Sequence, residues 1–160
     1  VVAVFTNNPN AKVIERAKNF EIPTEIFSKD ELNESFVLQK LKVIQPDLIV
    51  LAGFLLKFPK NIVESYPNAI INVHPALLPK YGGKGMYGMN VHKAVVENKE
   101  KETGITIHYV NENYDEGNII FQKKVILLIT DTPEVVAEKI HELEQKYFPQ
   151  VIENILTSNL

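Results

Sequence analysis

The sequence predicts an α/β fold: a Rossmann-like, doubly wound and mostly parallel sheet with an antiparallel C-terminal strand. Three observations predict it. Across the first 52 residues, short apolar runs rich in β-branched side chains alternate three times with stretches of helical character, the rhythm of βαβ units. The run Leu48-Ile49-Val50-Leu51-Ala52 shows no polar alternation, as expected of a parallel strand buried on both faces. Residues 103–110 and 118–125 read as strands joined by a short polar turn, which makes the second antiparallel to the first.

Each element has its own signal. Residues 1–6 form an apolar strand that ends in the turn formers Asn7-Asn8-Pro9-Asn10. Val13, Ala17 and Phe20 then recur at helical spacing, and residues 24–27 form a short second strand. Ser28-Lys29-Asp30-Glu31 has the form of a capping box, followed by Phe36, Lys40, Leu41 and Ile44 on one helical face, with Pro46 as the stop. After the third strand, Pro59 suits the first turn of a short helix to about residue 66. A strand over residues 69–74, a glycine-rich loop and a helix over residues 89–98 come next. Thr132, a candidate N-cap, and Pro133 open the last helix, whose buried stripe is Val136, Ile140, Leu143 and Tyr147.

Composition narrows the function. With 160 residues and no internal repeat or linker, one domain with one sizeable core is expected. The net charge of -3 and the scattered Lys and Arg argue against a nucleic-acid partner. The absence of cysteine excludes disulfides, thiolate catalysis and cysteine-ligated metals, and suits a cytoplasmic protein. The longest apolar run falls well short of the roughly 18 residues that span a bilayer, so no membrane partner is expected.

The stretch Ala69-Ile70-Ile71-Asn72-Val73-His74-Pro75 carries the sharpest functional signal. On a strand, side chains alternate, so Asn72 and His74 share a face opposite Ile71 and Val73. Ligands of open α/β sheets bind beyond the carboxyl ends of strands, where this pair stands. On the residues alone, two satisfied polar groups where a strand meets a loop are the favoured reading of the pair. Thr106 and His108 share a face of the strand over residues 103–110, and His108 reads as an inward, hydrogen-bonded histidine. Asp115 sits in a polar turn, where an aspartate also commonly caps its own backbone. The apolar loop Gly53-Phe54-Leu55-Leu56-Lys57-Phe58 follows a strand end, as either a core plug or the lining of a pocket for a flat ligand. A zinc site of His74, His92, His108 and Asp115 lacks the local ligand pairs usual for zinc.

Asn72-Val73-His74-Pro75-Ala76-Leu77-Leu78-Pro79-Lys80-Tyr81 together with Tyr114-Asp115-Glu116-Gly117 resembles the phosphoribosylglycinamide formyltransferases, the GAR transformylases of purine biosynthesis. The resemblance extends over residues 47–54, 104–108 and 144–149. It implies the formyltransferase fold and transfer of the formyl group of 10-formyltetrahydrofolate to the amine of glycinamide ribonucleotide. It implies catalytic roles for Asn72, His74 and Asp115, and a folate-binding loop, acting largely through its backbone, at Leu55, Leu56, Lys57 and Phe58. Asn72 would also touch the folate. Glu144 would contact the substrate ribose, no metal is required, and the protein would act as a monomer or homodimer.

Acyl transfer explains these residue types. Attack of an amine on a formyl carbon creates an oxyanion that needs aimed donors, which Asn72 and His74 supply. His74 can also give a proton to the departing folate nitrogen, and Asp115 beside it is expected to raise its pKa. A formyltetrahydrofolate hydrolase shares the Asn-x-His motif and the aspartate but directs water at the formyl group. A folate-binding module without catalysis is the alternative from another class. Methionyl-tRNA formyltransferase fits less well, for want of a basic C-terminal domain. The family carries a glycine-rich phosphate-binding loop after its first strand, and nothing between residues 1 and 160 has that spacing. The expectation is therefore that an N-terminal strand and its phosphate-binding loop precede Val1.

Overall fold

A computed structural model describes residues 1–158. The chain forms two compact units, Val1–Asp47 and Leu48–Leu160.

In the first unit the elements run β1 (Val4–Thr6), α1 (Lys12–Asn19), β2 (Thr24–Ile26), α2 (Lys29–Asn33) and α3 (Phe36–Ile44). β1 and β2 pair in parallel, with Val4 opposite Thr24, as a strand–helix–strand unit requires. The capping box forms: Glu31 N–H donates to Ser28 Oγ at 3.1 Å and Ser28 N–H to Glu31 Oε2 at 2.7 Å. The single helix expected beyond it divides, because Ser35 takes a left-handed conformation, φ 75°. Asn and Ser, the residue types at positions 33 and 35, are weak helix formers because their side chains can compete for backbone hydrogen bonds. A left-handed Gln45 ends α3 one residue before Pro46.

The second unit contains β3 (Ile49–Leu51), α4 (Lys60–Ser65), β4 (Ile70–His74), α5 (Met89–Glu97), β5 (Glu102–Tyr109), β6 (Ile119–Ile126) and α6 (Pro133–Ser158). Its sheet has the order β3-β4-β5-β6. β3 and β4 are parallel, with Leu51 opposite Asn72, and β5 and β6 are antiparallel as expected. The antiparallel part begins one strand sooner than expected, since β4 and β5 are antiparallel too. A connection containing a helix usually returns the chain in parallel, and residue type alone does not reveal that this one does not. The α/β class holds, with a mixed sheet.

β3 departs from expectation in burial. It is an outer strand of its four-stranded sheet, and Val50 is 37% exposed. An apolar run permits burial on both faces but does not itself provide the second covering layer.

Ile71, Val73, Ile105 and Ile107 point to one face of the sheet and pack with Val91 and Val95 of α5 and Val136 and Ile140 of α6. Thr132 caps α6, accepting from Val135 N–H. The helix runs on through Pro149, and Phe148, Val151 and Ile155 extend its buried stripe beyond the one read from the sequence. With these apolar side chains on one face, the other face of the same strands carries Asn72, His74, Thr106 and His108 beside the buried Ile70.

Candidate active site

Strand register builds the polar face. Asn72 lies opposite His108 and His74 opposite Thr106 across the β4–β5 ladder, and Gln122 of β6 lies opposite Thr106. Cross-strand partners point the same way, so five polar side chains converge where β4 ends. Three of them are sealed from solvent, with His74 3%, Thr106 0% and His108 2% exposed, while Asn72 is half-buried and Gln122 is exposed. Such burial requires hydrogen-bond partners, and the site supplies them.

His74 Nε2–H donates to the carbonyl of Tyr81 at 2.7 Å, and the other ring nitrogen, Nδ1, faces Asp115 Oδ1 at 3.5 Å. With Nε2 occupied as a donor, Nδ1 is the nitrogen left to gain or lose a proton. Asp115 itself is pinned. Gly83 N–H donates to its Oδ2 at 2.9 Å, while Oδ1 stands between His74 Nδ1 and His108 Nε2, the latter at 3.6 Å. His108 Nδ1–H donates to the Tyr109 carbonyl at 2.9 Å, which leaves Nε2 to accept from Asn72 Nδ2 at 3.2 Å. One of the two amide hydrogens of Asn72 is thereby engaged, and its orientation is set.

The local sequence explains how the turn brings Asp115 here. Asp115 is left-handed, φ 56°, a conformation aspartate tolerates better than most residues. Gly117 follows where a Cβ would come within 1.7 Å of the Tyr109 carbonyl oxygen. At Gly82 a Cβ would lie 2.6 Å from Leu78 Cδ2 and 3.2 Å from Asp115 Cβ. The two glycines let the turn and the loop after β4 close on each other.

Thr106 holds that loop down. Its hydroxyl donates to the Ala76 carbonyl at 2.7 Å and accepts from Leu78 N–H at 3.0 Å and Gln122 Nε2 at 2.9 Å. Gln122 also donates to the Leu78 carbonyl at 3.1 Å. The sequence placed Thr106 on this face but gave no sign of the role, because its partners are backbone groups of a distant loop. Gly83 and the Tyr81 carbonyl escaped notice for the same reason.

Charge in the site is a balance. Burial pushes the His74 pKa down and outweighs Asp115 and the Tyr81 carbonyl, which pull it up; His108 adds to the fall. The expected upward pull of Asp115 is present, but the net shift is downward. Burial alone would raise the Asp115 carboxyl, yet His108, His74 and Gly83 N–H together hold it below the usual carboxylate range. The pair therefore favours a charged Asp115 beside a His74 that is neutral more readily than a free imidazole.

The remaining candidates lie less centrally. Leu51 opposite Asn72 means that the loop with Leu55, Leu56, Lys57 and Phe58 leaves β3 at the same sheet end as His74. Phe58 is buried and packs edge-on against Phe54, 5.7 Å between ring centres, while Leu55 and Lys57 are exposed. Phe58 is thus a plug and Leu55 is free to meet a ligand. Glu144, on α6, is half-buried, and burial raises its pKa. Among the described residues its polar partner is His141, at 3.2 Å, and no hydrogen bond or ion pair joins it to Asn72, His74 or Asp115. His92 is buried on α5 with an unpartnered Nδ1. Among the described residues no group of three or more His, Asp or Glu side chains has the arrangement a metal ion needs. No helix among them is long and apolar enough to cross a membrane.

The family model described as formyl transferase matches residues 1–152. The chain belongs to the formyl transferase family. Within the family it is similar to the chloroplastic phosphoribosylglycinamide formyltransferase of Arabidopsis thaliana, with 40% identity over 95% of this chain and 54% of the relative. It is 37% identical to the phosphoribosylglycinamide formyltransferase of Bacillus subtilis (strain 168), over 96% of this chain and 78% of that one. The chain spans about half the length of the plant relatives it matches, 54% and 51%. The crystal structure of phosphoribosylglycinamide formyltransferase from Bacillus halodurans superposes with a TM-score of 0.89 at 34% identity, covering 100% of this chain and 82% of the other. These likenesses agree with the motif resemblance and with the formyltransferase fold.

Proposed function

We propose that this chain catalyses transfer of the formyl group of 10-formyltetrahydrofolate to the amine of glycinamide ribonucleotide. The observation that supports this most is the chain of contacts Asn72, His108, Asp115, His74, held in a buried face at a strand's carboxyl end. The substrates are those named or implied for the formyltransferase relatives.

In this reading the amine nitrogen attacks the formyl carbon, and the carbonyl electrons move onto oxygen. The Asn72 amide hydrogen not directed at His108, together with His74 Nδ1–H, stabilises that oxyanion. Collapse re-forms the carbonyl and breaks the bond from carbon to folate N10, which takes a proton from His74 Nδ1. The proton lost by the amine passes by way of Asp115, directly or through a water, and restores His74. The products are the formylated amine and tetrahydrofolate, with no covalent enzyme intermediate. Backbone groups of Leu55, Leu56, Lys57 and Phe58 hold the pterin, and Glu144 meets the ribose of the ribonucleotide.

The test is an assay of the protein carrying this chain with 10-formyltetrahydrofolate, in the presence and absence of glycinamide ribonucleotide. Transfer gives tetrahydrofolate and formylated ribonucleotide in equal amounts, with neither formed when the amine is omitted. Tetrahydrofolate released with formate at the same rate in both arms would instead make the protein a hydrolase, and folate binding without either product a non-catalytic module.

A further inference from the structure

Tyr81 is left-handed, φ 58°, a backbone conformation that a bulky aromatic residue seldom adopts without outside restraint. Its main chain and side chain are both anchored. The carbonyl accepts from His74 Nε2–H at 2.7 Å, and the phenol donates to Glu100 Oε1 at 2.9 Å. Glu100 lies between α5 and β5, and Lys80 Nζ donates to the same carboxylate oxygen at 2.8 Å. The ends of the residue therefore serve different masters: the ring is tied to the frame behind β5, and the carbonyl is presented to the imidazole.

From this geometry we infer that Tyr81 and Glu100 form a positioning pair for His74, fixing through the Tyr81 carbonyl which ring nitrogen keeps its proton and which one exchanges it. The inference rests on the role given to His74 above. The phenol and Glu100 touch no reacting atom; they act through the backbone. With the ring held, the carbonyl keeps Nε2 protonated and turns Nδ1 toward Asp115. With the ring released, residue 81 can leave the left-handed region, the carbonyl moves off, and the imidazole is free to protonate at either nitrogen. The electrostatics agree in sign. The carbonyl of Tyr81 pulls the His74 pKa up, along with Asp115, against burial and His108. Burial lowers the pKa of His92 on the neighbouring α5, and the charge of His74 adds to that fall. The phenol itself stays protonated, its pKa pushed up to about 12 by burial and by Glu100.

The experiment uses Tyr81→Phe, Glu100→Ala and the double variant in the protein carrying this chain. Two readouts are taken: the pH profile of kcat for formyl transfer, and the tautomer of His74 by nitrogen-15 NMR of the imidazole. In the parent, His74 is expected as a single neutral tautomer protonated at Nε2. Each single variant should show a mixture of both tautomers, a kcat reduced about fivefold with KM for folate within twofold, and a lower apparent pKa in the profile. The double variant should match the singles, because one tether is cut either way. A parent that lacks transferase activity but shows the tautomer change in the variants would leave the tether standing and remove the reaction assigned above. His74 remaining in one tautomer in all three variants, with kcat and its pH profile unchanged, would overturn the inference.

Discussion

Nδ1 of His74 stands 3.5 Å from Oδ1 of Asp115, while the opposite ring nitrogen is held by the Tyr81 carbonyl at 2.7 Å. The gap is wider than a good hydrogen bond, so the carboxylate acts on the imidazole chiefly through its field and does not commit Nδ1 to a short bond. That arrangement suits a residue that gives a proton to a leaving nitrogen and takes one back.

Replacing His74 by Ala removes the proposed acid and one oxyanion donor. Removal of a positioned general acid typically costs 10² to 10⁴-fold, so kcat should fall by about that factor while folate affinity changes little. Steady-state kinetics alongside a direct folate titration separate the two. Affinity lost together with kcat would mark His74 as a structural residue.

Thr106→Val keeps the shape and removes the hydroxyl. The Ala76 carbonyl and Leu78 N–H then lose a shared partner in a fully buried place, and the more exposed Gln122 loses one as well. With about 1–3 kcal/mol for a buried group left unsatisfied, denaturant unfolding should show a loss of about 3 kcal/mol. Thr106→Ser, which retains the hydroxyl, should lose far less. Equal losses in the two variants would mean that packing by the methyl group, and not the hydrogen bonds, is what matters.

Burial depresses the pKa of both His92 and His74, so the folded chain keeps them neutral at a pH where the unfolded chain protonates them. Between the folded pKa and the ordinary value of about 6.5, the unfolded state binds more protons, and stability must fall as pH falls through that window. Melting temperature is therefore expected to be lower at pH 5 than at pH 7. His92→Leu takes one of the two groups away and should flatten that slope. A slope unchanged in His92→Leu would assign the acid sensitivity to His74 and the carboxylates.

The pairing of side chains on the candidate site's face was more legible in the sequence than the direction of the strands. Alternation alone placed Asn72 with His74 and Thr106 with His108, and the register then set both pairs on one face. The motif resemblance singled out Asp115, although its turn reads locally as an ordinary cap. What stayed hidden depends on through-space geometry. The direction of β5, the break of the helix at Ser35 and the exposure of Val50 are decided by partners distant in the chain. The same holds for the donors and acceptors on Gly83 and Tyr81, whose main-chain groups carry no signature in residue type. Even the sign of the His74 shift needed burial, which a list of neighbouring charges does not contain.

The most direct measurement is the pH dependence of kcat for Asp115→Asn against the parent. Asp115 is the carboxylate that pulls the His74 pKa up against burial, so its neutral replacement should let that pKa fall further and leave less imidazolium at neutral pH. The apparent pKa of the profile is expected to move down and kcat near pH 7 to drop at least tenfold, with folate affinity little changed. An unchanged profile with near-normal kcat would contradict the account, because Asp115 would then have no hold on the proton that His74 is proposed to deliver.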